Sequence, residues 1–426
     1  MHAAHAPQEL IDSPYALRRL IATLLVMTLG ATGMYVVSVV LPQVQADFGV
    51  SRSDASLPYT LLMVGFGVGG LGMGRISDRH GVHVALMLGA AGTLAGFVWA
   101  SYAQGIWSFA LAHGVMLGFL GAGATFAPLV ADTSLWWSRR RGIAVAVCTS
   151  GNYLAGAIWP PLAQFGVSTV GWRQTYLMIG VVCGVGMLLL ALAMRRRPPM
   201  AVAASHGRMP TRQSDRPFGL RMGTAQALLC AAAVGCCLAM AMPQVHIVAY
   251  CSDLGFGPAR GAEMLSLMLA CGIVSRLGSG LICDRIGGVR TLLLGSFLQG
   301  VALLMFIPFN GLVSLYVISA MFGLFQGGII PAYAIIVREY FPPLEAGRRV
   351  GAVMLASLGA MALGGWVSGA IFDLTGSYRL AVLNGVFWNA VNLAIAFWLY
   401  LRARAQETAQ GASTNPIIRQ NFPQQS

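Results

Sequence analysis

Residues Leu265–Arg290, LSLMLACGIVSRLGSGLICDRIGGVR, decide how the whole chain is read. Most of the stretch is apolar and long enough to cross a bilayer, and it ends in a charged turn that begins near Asp284. Within it sits one arginine, Arg276, eight residues before that aspartate. A helix rises about 1.5 Å per residue, so Arg276 lies roughly 12 Å from the helix end. The hydrocarbon core is about 30 Å thick, which puts the guanidinium near its middle. A charge there costs at least ~2.5–3.5 kcal/mol and normally faces a cavity or a partner. No intramembrane carboxylate offers itself. The acidic residues (Glu9, Asp12, Asp47, Asp54, Asp78, Asp132, Asp215, Asp253, Glu263, Asp284, Glu339, Glu345, Asp373, Glu407) all fall in predicted loops, tails or helix ends. The anion is therefore expected from outside, as substrate.

Outward from this stretch the same pattern recurs. The chain has 426 residues, 57% hydrophobic and only 10% charged, which excludes an ordinary soluble domain. Apolar runs of membrane-spanning length return twelve times. The formal charge of +13 does not point to nucleic acid. All 27 basic residues are arginine. Arg52, Arg173, Arg260 and Arg379 fall in loops of one side and Arg276 inside a span; the rest crowd the other side. That asymmetry predicts both termini on the cytoplasmic side; the expected location is a cell inner membrane. Arg139–Arg141 and Arg195–Arg197 read as topology anchors. No cleavable leader is expected, because the first apolar run is long enough to stay in the membrane. The eight cysteines form no CxxC pair and read as small packing residues. No metal site, cofactor, nucleophile triad or phosphate loop is expected, so an enzyme is disfavoured.

The predicted organisation is a cytoplasmic tail (1–19), a six-helix bundle (20–194), a polar linker (195–221), a second six-helix bundle (222–401) and a cytoplasmic tail (402–426). Proline, serine and arginine dominate the linker. The halves repeat. GRISDRHG (Gly74–Gly81) returns 206 residues later as GLICDRIG (Gly280–Gly287). Gly-Trp-Arg ending at Arg173 returns at the same offset as Gly-Ser-Tyr-Arg ending at Arg379. A parallel duplication of six helices predicts two pseudo-symmetric bundles and alternating access about a site between them.

These residues carry a family resemblance. The repeated GxxxDRxG loop resembles the signature of the major facilitator superfamily. WWSRRRGIAVAVCTSGNYLAGAIWPPLAQ, PQVHIVAYCSDLGFGPARGAEMLSLMLACGIVSRLGSGLICDRIG and FGLFQGGIIPAYAIIVREYF resemble its monocarboxylate porter branch, with bacterial lactate-type and oxalate/formate-type relatives. The resemblance covers nearly the whole chain. It implies an all-α membrane protein of the major facilitator fold, with Arg276 as the carboxylate-binding arginine. It also implies that His246, in the pattern HxxxY, faces the cavity near the outer side. The eleventh predicted helix lacks the second cation of oxalate-type members, which favours a monoanion.

On that frame the candidate substrate residues are Arg276, His246, Tyr35, Asn152, Tyr153, Gln326 and Tyr333. Small neighbours of Arg276 (Gly272, Ser279, Gly280) are expected to leave room for a ligand. His246 is the candidate for proton coupling, since histidine titrates in the physiological range. Pro243 one turn earlier is a candidate hinge. His113 is a weaker polar candidate; Asn384, Asn389 and Asn392 read as structural. The gate candidates are Gly74, Asp78, Arg79, Gly81, Arg141, Asp284, Arg285 and Arg348. By analogy with the superfamily, Asp78 would cap the eleventh helix and Asp284 the fifth when the inner side closes. The expected function is secondary transport of a small monocarboxylate, proton-coupled, with the monomer as transport unit. The alternatives are an oxalate/formate-type exchanger, a drug or sugar-phosphate carrier, and, in another class, a non-transporting membrane sensor.

Overall fold

The computed structural model describes residues 10–197 and 216–414; the side chains of Asp284, Pro343, Leu344 and residues 407–414 lie outside that description. Among the described residues twelve helices are long and apolar enough to span a membrane: α1 (Pro14–Phe48), α2 (Arg52–His80), α3 (Val82–Ser101), α4 (Ile106–Trp136), α5 (Arg141–Val170), α6 (Trp172–Ala193), α7 (Met222–Asp253), α8 (Pro258–Cys283), α9 (Gly288–Met305), α10 (Leu312–Tyr340), α11 (Glu345–Thr375) and α12 (Arg379–Gln406). One end of the bundle, the terminal side, carries the ends of α1 and α12. Arg19 of α1 donates to the Met194 carbonyl there, and Gln406 of α12 to that of Arg216. The opposite end is the far side.

Two helix ends run into the predicted tails. α1 starts at Pro14, inside the predicted tail, because Ser13 caps it with its hydroxyl and Pro14 is preset for the first turn. Beyond α12 the helix runs on to Thr414, well into the predicted second tail. Residues 198–215 of the predicted linker, with 1–9 and 415–426 of the tails, lie outside the described residues. Just after the linker, Phe218 stacks on Tyr340 with ring centroids 4.2 Å apart.

The repeated motif has a physical basis in its last residue. Gly81 and Gly287 sit at φ 92° and 85°, which only glycine adopts without strain. Gly81 alone separates α2 from α3, and Gly287 alone separates the helix of α8, which runs on to Ile286, from α9. The packing repeats as well. In the first half α2 packs on α4, α3 on α6 and α1 on α5; in the second, α8 packs on α10, α9 on α12 and α7 on α11. Each partner is shifted by six helices, as a duplication requires. The glycines of α2 divide between two neighbours. A side chain at Gly65 or Gly69 would collide with the backbone of α4 at Gly114 or Phe119, whereas Gly67 faces Leu355 and Leu358 of α11. Large apolar side chains such as Val182, Leu189, Phe297 and Phe387 point outward, as lipid-facing positions do.

The halves meet chiefly through two crossed pairs, α2 with α11 and α5 with α8, which the pseudo-symmetry exchanges. Along α2–α11 the contacts run from the far side inward: Ser53 against Gly369, Tyr59 against Gly365, the Thr60 hydroxyl to the Ala362 carbonyl at 2.9 Å, then Gly67 against Leu358. Further toward the terminal side they stop. A Cβ at Gly70 or Gly74 of α2, or at Gly347 or Gly351 of α11, would meet nothing within 4 Å. Along α5–α8, Ser266 donates to the Ala157 carbonyl, Gly272 abuts Tyr153, and Arg276 reaches Thr149. Then Gly142, Gly278 and Gly280 stand in open space. The interface is closed on the far side and open on the terminal side.

Candidate functional site

Arg276 makes the last contact of α5 with α8 before the two helices part. Its Nη1 donates to the Thr149 carbonyl at 2.9 Å. Its guanidinium lies 4.3 Å from the centroid of the Tyr153 ring. Gly272, one turn earlier on α8, makes room for that ring, since a Cβ there would come 2.4 Å from Tyr153. The expected ligand space beside Gly272 is therefore filled by Tyr153, and Ser279 is occupied against Gly328; only Gly280 is open. Arg276 is buried, and its Nε meets no acceptor among the described residues. No carboxylate among them pairs with it either. A guanidinium carries five donors in a fixed fork that matches a carboxylate. One of them is used by Thr149, and the tyrosine face holds the plane in place.

Two further candidates join this centre. The Tyr35 hydroxyl donates to the Asn152 side-chain oxygen at 2.6 Å, tying α1 to α5 one residue from Tyr153. Tyr35 also abuts Gly156. Tyr35, Asn152, Tyr153 and Arg276 thus form one group across α1, α5 and α8.

The remaining candidates lie elsewhere. Gln326 of α10 accepts from Gln244 of α7 at 3.1 Å, and its own amide nitrogen is buried without a partner among the described residues. Tyr333 does not join the site. It is fully buried in the second half, donating to Asn392 at 2.8 Å, which in turn donates to Ser296. Packed in the apolar cluster with Ile336 and Phe322, it is a core tyrosine with a satisfied hydroxyl. Asn389 donates to Gln299 and is likewise structural. His113 bonds the Phe109 carbonyl and the Tyr176 hydroxyl inside an aromatic cluster of the first half.

His246 belongs to a second group, at the far side. It is fully buried on α7, with Nε2 2.8 Å from the Gly365 carbonyl of α11 and Nδ1 3.1 Å from the Tyr378 hydroxyl. Tyr378 accepts from Arg52 Nη1 at 3.1 Å. Arg52, from the first half, also pairs with Asp253 at 3.2 Å and lies 4.6 Å from the Phe372 ring centroid. The backbone N–H groups of Arg52 and Ser53 donate to the Asp373 carboxylate at 2.7 and 2.8 Å. Asp373 thereby caps the start of α2 across the interface. Sequence reasoning missed this group. Arg52 stood out only as a rare arginine on the arginine-poor side, and Asp253 and Asp373 as loop acids.

The gate candidates stand apart in this conformation. Asp78, Arg79 and Arg285 are exposed on the terminal side. Arg141 donates to the Trp137 carbonyl, and Arg348 faces Glu345 of its own helix at 3.7 Å. The Asp284 side chain lies outside the described residues. Among the described residues no ion pair joins the halves on this side. One acid expected in a loop is instead in the bundle. Asp132 is buried at the end of α4 and accepts two bonds from Arg19, each 3.0 Å long. Already paired, it is no partner for Arg276.

The comparisons with known proteins bear on the same geometry. The profile of the Major Facilitator Superfamily matches residues 23–314 and 227–422. The chain belongs to the Major Facilitator Superfamily. This superfamily member is 29% identical over 322 residues to Monocarboxylate transporter 13 of Bos taurus, covering 73% of this chain and 72% of that one. It is 25% identical over 378 residues to the MFS-type transporter YcxA of Bacillus subtilis, covering 86% and 91%. Its fold matches the crystal structure of a bacterial homolog of the human lysosomal transporter Spinster, in an inward-facing and occupied conformation. That match has a TM-score of 0.70 at 13% identity and covers 92% of this chain and 97% of the other. The chain is a transporter by family and fold, not an enzyme, and the twelve helices make it a multi-pass membrane protein.

Proposed function

We propose that the protein is a secondary transporter of a small organic monocarboxylate, working by alternating access, with Arg276 binding the carboxylate. The observation that carries this reading is a buried arginine in mid-helix with a spare donor, at the point where α5 and α8 part. The relatives named as monocarboxylate transporters support the cargo class. α11 carries no cation between Val350 and Phe372, so the reading is a monoanion rather than a dicarboxylate. Tyr35 and Asn152 would contact the rest of the substrate. The arginine-rich terminal side is read as cytoplasmic, in a bacterial inner membrane, with the monomer as the transport unit. Asp78, Asp284 and their glycine and arginine neighbours would lock that side when it closes. A proton entering with the anion would make the cargo neutral and lower its cost in the apolar cavity.

The test is uptake of labelled lactate and pyruvate into proteoliposomes, with and without an inward proton gradient. Gradient-driven uptake by the native protein, absent in Arg276→Ala, is the expected result. Uptake that needs only internal counter-substrate would replace symport by exchange. Undiminished uptake in Arg276→Ala would remove the arginine from the mechanism.

A further inference from the structure

The far-side group can be read bond by bond, because each member's donors and acceptors are known. The Gly365 carbonyl can only accept, so His246 Nε2 carries a proton and donates to it. In a neutral imidazole Nδ1 is then an acceptor, and the Tyr378 hydroxyl donates to it. The same hydroxyl oxygen accepts from Arg52. The bonds run one way, from Arg52 Nη1 through Tyr378 and His246 to Gly365, and each link of that chain pairs one donor with one acceptor. A second ring proton breaks this order. Nδ1–H and Arg52 would both aim at the Tyr378 oxygen, and the tyrosyl hydrogen would lose its acceptor. It would also place a second cation beside Arg52, on a histidine with no exposed surface.

The order spans the interface. Arg52 is on α2, in the first half; His246, Gly365 and Tyr378 are on α7, α11 and just before α12, in the second. Other titratable groups face the same cluster. Asp253 at the end of α7 and Asp373 on α11 both hold the Arg52 segment, and Tyr250 of α7 packs on Tyr378 at 5.5 Å. Both acids favour the arginine in place, so neither supplies the one-way order. We propose that Arg52 latches the far side only while His246 is neutral, with Tyr378 as the relay, so that a proton on His246 unlatches that side. Arg52 and Tyr378 are positioning residues that act through the histidine. The inference does not rest on the identity of the cargo.

The experiment measures the far-side distance between spin labels at Val170 and Val313, exposed positions on opposite halves. It uses the full chain in lipid nanodiscs without substrate, from about pH 8 to about pH 5, where histidine changes charge. The expected result is a longer distance in acid, the open-to-closed ratio rising by up to about tenfold per pH unit for one linked proton. His246→Gln, whose amide can still donate to Gly365 and accept from Tyr378, is expected to stay closed across the range. Tyr378→Phe keeps the ring and is expected to lose the acid response while Arg52 still holds Asp253. A wild-type distance that ignores pH, or shortens in acid, overturns the inference. A full acid response in His246→Gln or in Tyr378→Phe overturns it as well, and would pass the titration to Asp253 or Asp373.

Discussion

The two ends of the α2–α11 pair differ in what they can hold together. At the far side one arginine, Arg52, meets two acids, a tyrosine and an aromatic face from the other half. At the terminal side the same helices carry glycines with empty space in front of them, Gly70 and Gly74 against Gly347 and Gly351. The terminal side bears the more easily recognised motif, yet the contacts between the halves formed here are at the opposite end. A motif repeated in both halves reports the duplication. The state of the transporter is written in the pairings that form at one end and are absent at the other. Between the ends sits Arg276, held by Thr149 and Tyr153 where the open side begins.

The largest expected effect tests that middle point. Arg276→Ala is expected to lower carboxylate uptake by on the order of a hundredfold, the scale of a lost charge-assisted pair. Arg276→Lys should recover little, since a point charge cannot reproduce the planar fork. Uptake by Arg276→Lys near the native rate would show that only the charge matters.

Next is the seat of Tyr153. Gly272→Ala puts a methyl 2.4 Å from the ring and must displace it. An uptake loss of roughly tenfold or more is expected from the shifted guanidinium. Tyr153→Phe keeps the ring face and should stay near the native rate. If both variants behave alike, the ring is not what positions Arg276.

A smaller effect sharpens the contrast between the ends. Gly351→Leu adds bulk where this conformation has room, so binding should be unchanged. Closing the terminal side would then overpack it, and transport should slow by roughly five- to tenfold. Substrate affinity measured calorimetrically, beside the uptake rate, separates the two outcomes.

The smallest effect lies off the interface. Asp12 is partly desolvated, which raises its pKa, but bonds from the Ser138 hydroxyl and the Ser138 and Arg139 amides outweigh this and hold it below the ordinary carboxylate range. A depressed folded-state pKa contributes stability above the unfolded value, near about 3.9, that is lost as pH falls through the folded value. Asp12→Asn should cost about 1 kcal/mol at pH 7 by thermal unfolding, with the difference vanishing in strong acid.

Much of the architecture was legible in the chain. Twelve apolar runs, the arginine asymmetry and the motif at Gly74–Gly81 and Gly280–Gly287 are one-dimensional signals. Hydrocarbon forces every spanning segment to be helical, so length and hydropathy are enough. The isolation of Arg276 was legible for the same reason, because intramembrane charges are rare. Boundaries were less so: Ser13 and Pro14 started α1 early, and Asp132 proved to be a buried partner of Arg19 rather than a loop acid.

By itself the sequence determined the class, the duplication and the presence of an arginine in mid-membrane, because each follows from local composition and spacing. Only the tertiary structure decided that Tyr333 is core, that His246 sits in the far-side group, and that Arg52 closes that side. Those facts depend on which helices touch at which depth. Arg52 and Asp373 are far apart in the chain and 2.7 Å apart in space. No periodicity encodes such a meeting, because it is set by the packing of the two bundles against each other.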